Sequence, residues 1–257
     1  MSLETKCCAI TGAASGIGEA LVWVFAKASY DIIAIDLDEH RLNTLQIALK
    51  TQGYSCQSIL ADLARASDLT KIVNMLPRVD VFIHSAGISA VGEFGGLEPP
   101  PQLSVLDINL LAPLSLTSKV LATDKLSKGS SLIFISSLAH FVSYPSASSY
   151  AASKTGLAAY ARSLRIQLAP QGIHVLTVFP GPTRTPHAQK YSPDNRREAK
   201  RMPPEQVAEA IFKAVNTKQA ILIPGVTNKL FALLGWGLPH LTESFMRQSM
   251  MSYYRKS

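Results

Sequence analysis

Tyr150 and Lys154 stand four residues apart in the stretch Ser149-Tyr150-Ala151-Ala152-Ser153-Lys154-Thr155-Gly156. On a helix that spacing puts both side chains on one face, with the ammonium near the phenol. A free phenol titrates at about 10 and is a poor proton donor or acceptor at neutral pH. A cation beside it favours the phenolate, so the expected chemistry is general acid–base work by Tyr150, its pKa lowered by Lys154. A Tyr-x-x-x-Lys match also arises by chance on many helices, and the surrounding chain must decide its meaning.

A second stretch that could do chemistry is Thr11-Gly12-Ala13-Ala14-Ser15-Gly16-Ile17-Gly18, set between an apolar run and a segment of helical period. Its glycines permit a tight turn and close approach of the backbone to a pyrophosphate. The helix that begins around Ser15, Gly16, Ile17 and Gly18 favours that group electrostatically. Asp36 closes the second apolar run, eighteen residues past Gly18. A carboxylate there accepts hydrogen bonds from an adenosine ribose and repels a 2′-phosphate. Neither Ser15 nor Leu37 supplies the positive charge such a phosphate needs, so NAD is the expected cofactor and NADP the less favoured one. Asp62, with Leu63 beside it, follows the third run; Asp62 either caps the next helix or accepts from an adenine amino group. Ala86 and Gly87 end the fourth run and are small enough for backbone to pack against a cofactor.

The elements that must position these groups follow a simple alternation. Apolar runs at Cys7–Ile10, Ile32–Ile35, Ser58–Leu60, Val81–Ile83, Leu132–Ile135, Val175–Phe179 and Ile221–Ile223 predict strands. Between them, segments of helical period predict helices near 16–29, 39–51, 66–75, 102–126, 148–169 and 204–216. Continuous apolar strands separated by helices argue for a parallel sheet covered on both faces. Right-handed crossovers make it a doubly wound, Rossmann-type α/β fold of about seven strands. Leu157, Ala161, Leu164 and Leu168 form one stripe of the helix that carries Tyr150, and Gly172 is placed to end it. No linker marks a second domain. Residues 1–225 are read as one dinucleotide-binding domain and 226–257 as an apolar and basic extension of it.

Composition narrows the class further. The 257 residues are 47% hydrophobic and 17% charged, which excludes disorder as the default and allows one large core. The three cysteines, Cys7, Cys8 and Cys56, lie in apolar runs without metal-ligand spacing, so buried reduced thiols, no metal and a cytoplasmic compartment are expected. The N-terminus lacks the order of a signal peptide. Net charge is +7, of which residues 184–201 carry +4 and residues 229–257 carry +3, leaving the rest neutral. That concentration is unlike a coat for nucleic acid, and no nucleic-acid partner is expected.

Taken together, these motifs resemble the short-chain dehydrogenase/reductase family in its compact single-domain branch. The resemblance covers roughly residues 5–225. It rests on Thr11-Gly12-x-x-x-Gly16-Ile17-Gly18, Asp62, Ala86-Gly87, Asn109, Ser137, Tyr150-x-x-x-Lys154 and Pro180-Gly181. It implies a catalytic set of Asn109, Ser137, Tyr150 and Lys154 for hydride transfer between a nicotinamide cofactor and a small-molecule alcohol or ketone. Ser137, with Ser136 as the neighbouring alternative, would orient the substrate oxygen, and Tyr150 would exchange its proton. Lys154 would also bind the nicotinamide ribose, and Asn109, within a long helix, would hold a water linking Lys154 to solvent. The loop Pro180-Gly181-Pro182-Thr183-Arg184-Thr185 would lie over the nicotinamide, with Thr183 or Thr185 binding its carboxamide or the pyrophosphate. Relatives commonly pair through the helices carrying Asn109 and Tyr150, so a homodimer or homotetramer is implied. The chain departs from many relatives in having His84-Ser85 where they have Asn-Asn. A non-catalytic nucleotide sensor on the same fold is the alternative function, but it has no need of Ser137, Tyr150 and Lys154 together.

Two regions stay open at this level. Residues 182–203, the expected substrate cover, include Arg184, His187, Lys190, Arg196, Arg197, Lys200 and Arg201. They read as a solvated loop or as a basic cover for an anionic carrier. The uncharged stretch Leu230–Thr242 is too short to span a bilayer and is interrupted by Gly235, Gly237 and Pro239. It reads as a subunit interface, a wall of the substrate site, or, with Arg247, Arg255 and Lys256, a peripheral membrane contact.

Overall fold

The seven apolar runs become seven parallel strands, named in chain order β1 (Cys7–Thr11), β2 (Asp31–Asp36), β3 (Cys56–Leu60), β4 (Val79–His84), β5 (Leu126–Ile135), β6 (His174–Val178) and β7 (Ile221–Leu222). The computed structural model describes residues 5–92, 96, 98–142, 144–192, 195–196 and 198–254, and only the backbone of 249–254. Arg197, Arg255 and Lys256 therefore lie outside the described residues or side chains. The sheet order is β3-β2-β1-β4-β5-β6-β7, so the winding direction reverses between β1 and β4.

Side chains alternate between the faces of each strand, and each face has its own core. Cys8 and Ile10 of β1 point to one side, where they join Leu21 and Phe25 of α1 (Gly16–Lys27), Leu42, Leu45 and Leu49 of α2 (Glu39–Thr51), and Ile211 of α8 (Pro204–Asn216). Cys7 and Ala9 point to the other. They join Ile72 of α3 (Ala66–Met75), Leu116 of α5 (Ala112–Ala122), and Leu157 and Leu164 of α6 (Ser148–Leu168). Phe25 is fully buried and meets Tyr30 and Phe212 edge-on at 5.1 Å each, a contact set worth about 2–3 kcal/mol in burial alone. The three cysteines are free and buried, and burial pushes Cys7 up to about 12 and Cys56 to about 11, so they pack as inert thiols.

Helix ends follow local chemistry. Asp38 accepts from the Arg41 amide and starts α2, and Pro at the first positions starts α8. The helix expected over 102–126 differs in two ways. It begins at α4 (Pro99–Leu106), widens into a π turn at Asp107–Leu111, and resumes as α5. It stops at Ala122 because Thr123 turns its hydroxyl back on the Lys119 carbonyl and Asp124 adopts a left-handed φ of 52°, freeing Leu126 to pair with Val79. The segment Pro99–Ala122 is long and apolar enough to cross a membrane by length and composition. Its buried Val105, Asn109, Leu116 and Val120 pack it on the sheet instead.

After β6 come the short α7 (Pro186–Tyr191), then α8 and β7, and two further helices, α9 (Val226–Gly237) and α10 (Pro239–Tyr254). The sequence pattern treats Gly235 as an interruption. It lies inside α9 because the helix packs so close to the Phe141 carbonyl that a Cβ would collide with it.

Candidate active site

The carboxyl ends of the strands border one cleft of about 880 Å³, placed where the strand order reverses. Of the residues singled out in the sequence, Gly12, Ser15, Gly16, Ile17, Gly18, Asp36, Asp62, Leu63, Ala86, Gly87, Ser137, Tyr150, Lys154, Pro180, Gly181, Thr183 and Thr185 all line it. Of the expected catalytic set, Asn109 alone does not line it and is fully buried.

The glycine turn is built by contact with β4. Gly12 has a φ of 67°, and a Cβ there would lie 2.7 Å from the Cα of Ala86. Thr11 fixes the same approach from below, its hydroxyl accepting from the amides of Ser85 (3.2 Å) and Ala86 (3.3 Å). Gly18 lets the first turn of α1 rest on the Gly12 carbonyl, where no Cβ fits. Ser15 opens α1 without a side-chain cap, so the amides of that first turn face the cleft with no side chain answering them. Such a set of donors in a backbone cradle fits a pyrophosphate.

Asp36 is tied into this cradle. One carboxylate oxygen accepts from the Ala14 amide (2.9 Å), the other from Leu37 (2.8 Å) and Asp38 (3.0 Å). Asp62 does not cap α3, whose N-cap position is Arg65; it accepts from the Ala64 amide at 3.0 Å, pairs with Arg65 at 3.3 Å and lines the cleft. Three carboxylates, Asp36, Asp38 and Asp62, therefore line this end of the cleft; Arg41 and Arg65 are engaged with Asp38 and Asp62 and do not line it.

The other end holds the titratable centre. Ser137 follows β5, caps the turn Leu138–His140 through the Ala139 amide (3.1 Å), and is hydrogen-bonded to the Tyr150 hydroxyl. Ser136 is the structural member of the pair: it is buried and donates to the Lys154 carbonyl at 2.8 Å. Lys154 donates from Nζ to the Ile135 carbonyl at 2.8 Å and stands 5.8 Å from the Tyr150 ring centre. Burial brings Lys154 down to about 8. Burial also pushes Tyr150 above its ordinary value, opposed by the Ser137 hydrogen bond and reinforced by Tyr144. The expected depression of Tyr150 by Lys154 is thus not what this geometry displays. The ammonium is aimed at a strand carbonyl, and Ser137 is the group that favours the phenolate.

Asn109 lies in the π turn rather than in a regular helix. Its oxygen accepts from the Ile88 amide (2.8 Å), and its nitrogen donates to the Ile88 carbonyl (2.9 Å) and to Ser153 (3.1 Å). Both N–H donors are thereby engaged in holding the β4 loop against α6. A water linking Lys154 to solvent would depend on a carbonyl that the wide turn releases from the helical ladder.

Sequence spacing misses the aromatic wall. His187 of α7 lies 6.0 Å from the Tyr150 ring and 4.8 Å from Tyr191, and is hydrogen-bonded to the Gly87 backbone. Burial, then the Lys154 charge, lowers it to about 4, so it is a neutral wall rather than part of a basic cover. Only tertiary packing brings it there. Thr183 donates to the Gly181 carbonyl (2.9 Å), and Thr185 caps α7 through the Ala188 amide (3.1 Å).

His84 and Ser85 replace the usual Asn pair without loosening the turn. His84 is buried, bonded to Thr117 at 2.9 Å and stacked 5.0 Å from Phe134. Burial lowers it to about 3. Because an unfolded histidine binds its proton near 6.5, the unfolded chain binds more protons between pH 6.5 and 3. Stability is therefore lost as pH falls through that window. His84→Gln should flatten the fall of the urea midpoint between pH 6 and 4; an unchanged slope would show that His84 is not its source.

A nucleotide cradle at a switch point, facing a Ser–Tyr–Lys centre across one cleft, defines the site of a nicotinamide-dependent oxidoreductase fold. The comparisons agree. The chain matches the short chain dehydrogenase family profile over residues 6–196. It is 31% identical over 237 residues to dehydrogenase/reductase SDR family member 7B of Danio rerio, covering 85% of this chain and 76% of that one. It is 30% identical over 225 residues to a 3-oxoacyl-[acyl-carrier-protein] reductase of Thermotoga maritima, covering 82% and 91%. A short-chain dehydrogenase from Sphingobium yanoikuyae, solved with NADPH, shares the fold with a TM-score of 0.79 at 24% identity, covering 96% and 95%. This protein belongs to the short-chain dehydrogenase/reductase family.

Proposed function

We propose that this protein transfers hydride between NAD(H) and a moderately apolar secondary alcohol or ketone, with Tyr150 as the general acid–base group. The observation that carries the reading is the Tyr150 hydroxyl paired with Ser137, beside buried Lys154, in the cleft that also holds the glycine turn. Gly12, Gly18 and the uncapped start of α1 suit the pyrophosphate. When bound, the nicotinamide supplies or accepts the hydride. The chain's own residues do the rest. Ser137 donates to the substrate oxygen and fixes its position, while Tyr150 gives that oxygen a proton in reduction and removes it in oxidation. Lys154 keeps positive charge at the site where negative charge develops on that oxygen. Ile88, Val91, Ile108, Tyr144 and His187 surround the remaining space and favour an apolar substrate. Hydroxysteroid-like and 3-hydroxyacyl-like alcohols both suit such walls, and the Thermotoga maritima relative is by name a 3-oxoacyl reductase. The α4–α6 face, with Leu103, Leu111 and Ile166 exposed, suits pairing of two copies.

The NAD(H) preference rests on three carboxylates at the adenosine end, with neither Arg41 nor Arg65 lining the cleft there, although the Sphingobium yanoikuyae structure carries NADPH. A screen of alcohols with NAD+ and NADP+, read by the absorbance of the reduced nicotinamide, tests both parts. Turnover of no alcohol or ketone in either direction would end the reading. Asp36→Ala should lower the NAD+ over NADP+ ratio of kcat/KM about tenfold or more. Because Asp36 also anchors Ala14, an equal loss with both cofactors would mark damage to the turn and refute the ribose role.

A further inference from the structure

Most surface helices turn large apolar residues inward, as α8 does with Val207, Ile211 and Val215. α9 does the reverse. The side packed on the domain consists of Asn228, Ala232 and Gly235, two of them buried, while Leu230, Leu233 (63% exposed) and Trp236 (79% exposed) point outward. The exposed side continues through Leu238, Leu241 and Phe245 into α10. No described residue of this region lines the cleft. A contiguous apolar face of this kind marks a surface that something covers.

Charge selects the occupant. Residues 226–242 contain no acid, and residues 229–257 carry four Lys/Arg against Glu243 alone. Pairing of two copies through this face would bring two segments of the same net positive sign together. An anionic surface is complementary. α9 has 12 residues and α10 has 16, both shorter than the roughly 20 needed to span a bilayer. Helices of that length, with Leu230, Leu233 and Trp236 exposed on α9, Leu241 and Phe245 on α10, and Lys229 and Arg247 beside them, suit the plane of a lipid headgroup layer. We propose that α9 and α10 dock this protein peripherally on anionic membrane surfaces. α9 begins beside the cleft, its Asn228 abutting Gly181.

The test is flotation of the full chain with vesicles of phosphatidylcholine alone or mixed with phosphatidylserine, at low and high salt. Binding should favour the anionic vesicles and weaken with salt. Leu233→Glu and Trp236→Glu should each reduce the bound fraction about tenfold with unchanged melting, since both side chains are exposed. Lys229→Glu should weaken binding to anionic vesicles only. Failure to bind at low salt overturns the proposal, as does binding that neither Leu233→Glu nor Trp236→Glu reduces. A lipid-free dimer that these substitutions split, without vesicle binding, would assign the face to a second copy and overturn it equally.

Discussion

Tyr150→Phe should lower kcat by about 10³-fold, the ordinary contribution of a positioned general acid–base group, while the affinity for NAD+ changes little. The ring stays in its wall with His187 and keeps its contact with Lys154; only the hydroxyl bonded to Ser137 is lost. Initial rates with a secondary alcohol, together with cofactor binding followed by fluorescence, separate the two quantities. A loss of less than about tenfold would move the proton transfer to another group. Ser137→Ala serves as the companion variant, because its hydrogen bond favours the phenolate. It should raise the pH at which the limb of the oxidation profile appears, the direction set by removing a bond that lowers the Tyr150 pKa.

Gly18→Ala should abolish measurable cofactor binding, by about 100-fold or more, and lower stability by about 1–3 kcal/mol. The added Cβ would strike the Gly12 carbonyl, and since that atom is backbone, α1 must shift away from the turn. The donors at the start of α1 and the Asp36–Ala14 bond shift with it. Gly237→Ala is the control, because no described atom lies within 4 Å of a Cβ there, and it should leave binding and melting unchanged. Calorimetric titration with NAD+ and thermal melts read both effects. Near-native affinity in Gly18→Ala would mean that the cradle does not hold the pyrophosphate.

The strands were legible because a parallel sheet buried on both faces needs uninterrupted apolar runs, and Ile32–Ile35 or Val81–Ile83 can hardly be anything else. The helices over 39–51, 66–75 and 204–216 were equally legible, each amphipathic, with Asp38 starting the first and Pro204 the last. Cleft residues at strand ends followed from the strands themselves. What escaped was set by packing. No propensity marks a π turn at Asp107–Leu111. Gly235 reads as a breaker until the Phe141 carbonyl beside it is seen, and His187 meets Tyr150 only because the loop after β6 folds back across the cleft. The pKa pattern escaped too: a four-residue spacing announces that two groups are neighbours, not that Nζ points to Ile135.

That aim at Ile135 ties the proton-transfer centre to one packing contact. Lys154 is stapled to the end of β5 twice, through its ammonium on the Ile135 carbonyl and its own carbonyl on Ser136. The nucleotide cradle draws on neighbours within the first β-α-β unit and on Ala86. The proton-transfer centre instead depends on α6 being docked on β5. A change that loosens that one packing contact would therefore strike the chemistry directly, while the Gly12–Ala86 and Asp36–Ala14 contacts of the cradle lie elsewhere in the sheet.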